Sequence, residues 1–139
     1  MPIVPMTPPQ PVAISSGFDY VTVDAQRGRV YAAHTASQTL LIVNAETGKE
    51  LGQVDAGSTH GVAVNPTTGH VYTGTTEGLV VEVDPVAQKV VATTDVKGKI
   101  DAIAFDPVLH RIYADEDDGT RMFVIDSETM KSVGTVALP

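Results

Sequence analysis

The 139-residue sequence predicts an all-β fold assembled from repeated four-stranded units. Val, Thr and Ile are plentiful and Gly and Pro recur every few residues, which favours short strands joined by tight turns over helices. More telling is self-similarity at a fixed spacing. "DYVTVDAQRGRVYAAH" from Asp19, "HGVAVNPTTGHVYTGT" from His60 and "DAIAFDPVLHRIYADE" from Asp101 align without a gap, at an offset of 41 residues in each step. A second block follows in each unit, "LLIVNAETGKEL", "VVEVDPVAQKVV" and "MFVIDSETMKSV", and the length differences fall between the blocks, where a loop belongs. Four strands every ~40–45 residues is the pattern of a β-propeller blade. The expectation is therefore three four-stranded blades, part of a ring, preceded by one extra strand.

Along the chain, residues 1–11 ("MPIVPMTPPQP") read as a proline-rich extended arm, without the basic start and long apolar core of a signal peptide. Residues 12–139 form the propeller unit, with blades near 18–57, 58–98 and 99–139. "QPVAISSG" aligns with "GQVDAG" ahead of the second blade, so it reads as an additional outermost strand. Within a blade, strand a resembles "GVAVN", b "HVYTG", c "VVEVD" and d "KVVATTD". The a–b turns open with Asp24, Asn65 and Asp106, and the c–d turns with Asn44, Asp84 and Asp126; such side chains accept from the backbone N–H groups that follow. Gly28 and Gly69 stand where a positive φ is expected, and His110 takes the same place in the third blade. On strand a, Val21 and Val23, Val62 and Val64, and Ile103 and Phe105 share one face. Gly61, Ala63, Ala102 and Ala104 keep the other face small, as the crowded innermost strand of a ring requires.

"RVYAAH", "HVYTGT" and "RIYADE", each after a "VDA", "VNP" or "FDP" turn, resemble the repeats of the YVTN β-propeller family, which is related to lactonase-like propellers. The resemblance spans roughly Val12 to the C-terminus. It implies a propeller, an extracytoplasmic setting, and either a binding role or a lactonase- or esterase-like hydrolase.

A formal charge of −8, with nine Lys and Arg against 17 Asp and Glu, disfavours nucleic acid or an anionic membrane as the main partner and suits cationic ligands. No apolar run approaches the ~20 residues of a membrane helix. With no cysteine, disulfides, thiolate metal sites and a Cys nucleophile are excluded. Three blades do not close a ring, since propellers have about 4–8. The open blade faces point either to the N-terminal piece of a longer propeller or, as favoured here, to a homo-oligomer, most simply a dimer giving six blades.

Propeller topology also sorts the candidate site residues. The d–a and b–c connections share one end of the ring, the mouth; the a–b and c–d turns share the other, which holds His70 and His110. Asp19, His60 and Asp101 are equivalent positions at the entrance of strand a, and their parity with the large apolar face predicts that they project in one sense. His34 and Glu116 share a place at the end of strand b, with Asp117 beside it. A set of Asp19, His34, His60, Asp101, Glu116 and Asp117 suits a divalent metal ion such as Zn²⁺, Cu²⁺ or Mn²⁺, or Ca²⁺ on carboxylates alone. His60 with the carboxylate of Asp101 could equally serve as a general base, and the metal-assisted hydrolase that the resemblance implies, or a redox-metal enzyme, would use the same cluster. The reading favoured here is a scaffold that binds a small molecule, metal ion or partner at this mouth.

Overall fold

The computed structural model describes residues 17–139; the expected arm over 1–11 and nearly all of the expected extra strand lie outside them. Twelve strands form three antiparallel sheets, each contiguous in sequence. The first blade is β1 (Phe18–Asp24), β2 (Arg29–His34), β3 (Thr39–Asn44) and β4 (Glu50–Asp55). The second is β5 (Thr59–Val64), β6 (Val71–Thr75), β7 (Leu79–Asp84) and β8 (Lys89–Asp95). The third is β9 (Ile100–Asp106), β10 (Arg111–Glu116), β11 (Arg121–Asp126) and β12 (Lys131–Ala137). Each blade is completed by its own fourth strand.

The hairpins close as the turn residues dictate. Asn44, Asn65, Asp84, Asp106 and Asp126 each accept from the backbone N–H groups two and three residues on, and Asp24 accepts from Arg27. Four residues after each comes a left-handed residue: Gly28, Gly48, Gly69, Gln88, His110 and Met130, with φ between 53° and 78°. At four residues per turn the two strands leave in register, and only half of the six left-handed positions use glycine.

The blades pack face against face. The first interface buries Tyr31, Leu40, Ile42 and Val54 of blade one against Val62, Val71, Val81 and Val83 of blade two. The second buries Tyr72 and Val80 against Ile100, Ile112, Phe123 and Ile125 of blade three. Fully burying one such side chain contributes about 2 kcal/mol. Strand a approaches its neighbour closely: a Cβ on Gly61 would stand 2.6 Å from the backbone N of Ile103. This is why Gly and Ala occupy that face. Cross-blade hydrogen bonds fix the stacking, among them Thr59 Oγ1 to the Thr39 carbonyl (2.9 Å) and Gln88 Nε2 to the Leu51 carbonyl (2.9 Å).

Candidate functional site

Strand a enters each blade through an irregularity at the same place. In blade one the pairing passes from Phe18↔His34 to Val21↔Ala32, so Asp19 and Tyr20 stand opposite Ala33 alone. In blade two His60 and Gly61 oppose Gly74, and in blade three Asp101 and Ala102 oppose Asp115. Each is a one-residue β-bulge, a device that re-aims a side chain at a sheet edge. Asp19, His60 and Asp101 are the first residues of the three bulges. The plain alternation expected to align them with Val21, Val62 and Ile103 does not carry across a bulge, which slips the facing by one residue. Their common direction comes from the shared bulge.

The result is convergence across three blades. One ligand atom from each of Asp19, His60 and Asp101 lies within 4.8 Å of the others, and among the described residues no other set of three His, Asp or Glu comes as close. His60 sits between two partners: Nδ1 is 2.7 Å from Asp19 Oδ2, and Nε2 is 2.7 Å from Thr76 Oγ1. With Asp19 accepting from Nδ1–H, Nε2 is left to accept the Thr76 hydroxyl proton. Burial, and then the carboxylates of Asp19, Asp115 and Asp117, hold Asp101 above the ordinary aspartate value. The Asp101 carboxylate in turn raises the hydroxyl of exposed Tyr20. Negative charge is thus concentrated at the mouth, where a cation would relieve it.

The other three predicted site residues are engaged elsewhere. His34 is buried, stacked on Phe18 with ring centroids 4.0 Å apart, and its Nε2 is 3.3 Å from Ser37 Oγ. Glu116 forms a two-point pair with Arg121, which holds its carboxyl below the usual range. Asp117 pairs with Lys99, with the same effect on its carboxyl. Sequence reasoning passed over Thr76, although it is the second-blade counterpart of Asp117, so the repeat register already marked its position. Asp115, on β10, accepts the Ala102 N–H on its Oδ1 at 2.6 Å and so satisfies the bulge of blade three. At the opposite end, His70 Nδ1 lies 2.7 Å from Glu82 Oε1.

No family model matches the chain, and no curated protein matches it. Solved structures do. The chain superposes on hydrazine synthase of Kuenenia stuttgartiensis with a TM-score of 0.82 at 19% identity, over 92% of this chain and 38% of that one. It superposes on U3-55K with a TM-score of 0.77 at 13% identity, over 87% of this chain and 39% of that one. For Sqt1 of Saccharomyces cerevisiae the TM-score is 0.76 at 12% identity, over 87% and 36%. All three are β-propeller proteins. This chain has the β-propeller blade fold. It spans well under half the length of the structures it matches, and at these identities the likeness is one of fold.

Proposed function

We propose that the chain is a β-propeller scaffold whose mouth binds a divalent cation through Asp19, His60 and Asp101. The observation that carries this is the convergence, within 4.8 Å, of ligand atoms from three residues that are 41 positions apart in sequence and held in equivalent bulges. Two carboxylates and one imidazole favour Zn²⁺ or Mn²⁺ over Ca²⁺, which prefers oxygen donors alone. Three protein ligands leave further coordination positions for water or for a small ligand in the channel. The imidazole would exchange its hydrogen bond to Asp19 or Thr76 for the metal. The repeat motifs keep the resemblance to the YVTN propellers, and the same reading gives the chain an extracytoplasmic setting.

The test is a titration of untagged, metal-stripped protein with Zn²⁺, Mn²⁺ and Ca²⁺, following heat of binding and thermal midpoint together. A specific site saturates at one ion per chain, and at a hundredfold excess over Kd it stabilises the fold by about 2.7 kcal/mol. His60→Ala removes the saturable phase for Zn²⁺ and Mn²⁺. Absence of a saturable phase in the unaltered protein refutes the site.

A further inference from the structure

Both blade interfaces among the described residues are made the same way. The leading face of one blade, carrying the large residues of strand a, seats on the trailing face of the blade before it. Val62 of blade two is 8% exposed because Tyr31, Leu40 and Ile42 of blade one cover it. Its counterpart in blade one, Val21, is 62% exposed, and Val23, the counterpart of Val64, is 60% exposed, although Leu41 further out on the same face is buried. At the far side of the array the trailing face of blade three is open too. Tyr113, Met122, Val124 and Val136 occupy the places that Tyr31, Leu40, Ile42 and Val54 fill in blade one. Val136 is 43% exposed, whereas Val54 is 3% exposed. Gly134 stands where Gly52 is covered by the Gln88 side chain, and has nothing within 4 Å.

The two open faces are therefore not alike. One is a leading face and one a trailing face, the two halves of an interface this chain already builds twice. We propose that a second copy of the chain covers both. The leading face of blade one in each copy seats on the trailing face of blade three in the other. Such a head-to-tail contact is heterologous and closes when the rotation returns on itself. Two copies give six blades, within the range of about 4–8 that closes a propeller. The surface is apolar and continuous with the existing stack, and no change of fold is needed. This inference is independent of the cation, since it rests on the blade faces and not on Asp19, His60 or Asp101.

Light scattering on the full chain, with and without cation, tests it. The unaltered protein is expected at twice the 14.6 kDa of a single chain. Val23→Glu and Val136→Glu change residues already exposed in the single chain, so circular dichroism should be unaltered while each variant runs at half the dimer mass. An equimolar mixture of the two restores a dimer, because each supplies the face the other lacks. A monomer for the unaltered protein at micromolar concentration overturns the proposal. So does an open-ended polymer, or loss of dimer in Val23→Glu alone, which would mean that blade one pairs with itself. Cation binding by a monomeric protein would refute this inference and leave the mouth site standing.

Discussion

At the turn end of the blades, Asp84 and Asp126 each accept two backbone N–H groups, and those bonds hold both carboxyls below the ordinary aspartate value. At the mouth end, Asp101 is pushed the other way by burial and by three neighbouring carboxylates. The two ends share a repeat and a residue type. They differ in where the backbone donors point: the hairpin turn folds its own N–H groups onto the side chain, while the bulge presents the side chain away from its ladder. Carboxylates at the turn end therefore stabilise the hairpins. At the mouth Asp101 is held at a cost, as is common where groups are kept for a ligand.

The largest effect that separates the two ends should come from glycine. A Cβ on Gly61, inside the bulge of blade two, would stand 2.6 Å from the Ile103 backbone N and 2.7 Å from the Asp101 carbonyl. Neither atom can give way without parting β5 from β9. Gly61→Ala is expected to cost about 3 kcal/mol and to weaken cation binding, because it moves His60 relative to Asp101. At the turn end Gly28 has φ +63° and open space around it, so Gly28→Ala meets only backbone strain, about 1 kcal/mol. Urea unfolding gives both numbers, and the titration shows whether only Gly61→Ala disturbs the mouth. Equal costs, or an undisturbed mouth in Gly61→Ala, would dissolve the distinction.

A smaller effect is expected at Asn65, which accepts from the Thr67 N–H (3.0 Å) and donates Nδ2–H to the buried Tyr72 hydroxyl (3.0 Å). Asn65→Ala should cost about 2 kcal/mol with cation affinity unchanged, checked by the same pair of measurements. This turn was legible in the sequence, because an Asp or Asn followed four residues later by a left-handed position recurs in all six a–b and c–d turns. The blades were legible for the same reason. The mouth was legible in part: the 41-residue register singled out Asp19, His60 and Asp101, but a bulge leaves no mark in a sequence without its partner strand. His34 and Glu116 do not join the cluster because equivalent places on strand b meet different neighbours. Phe18 stacks on the first and Arg121 grips the second, and both contacts depend on side chains that the repeat does not share.

The finest discrimination between the two ends is the sign of a charge effect. The folded value of Asp101 is raised, so its ionised form is disfavoured by folding; that penalty is present above the folded value and vanishes below the unfolded one. Asp101→Asn should therefore raise the thermal midpoint at neutral pH, and the gain should shrink to nothing as pH falls below the ordinary 3.8. The folded value of Asp126 is lowered, first by the Glu128 N–H and also by Arg111, whose Nη1 is 2.8 Å away. Its contribution is present above 3.8 and is lost as pH falls through the folded value. Asp126→Asn keeps an oxygen for the turn and removes the charge, so it should lie below the unaltered protein at neutral pH and converge with it in acid. Thermal scans of the three proteins across that range give two difference curves of opposite sign. Curves of the same sign would mean that the mouth carboxylates are as well satisfied as those in the turns, leaving a cation nothing to relieve.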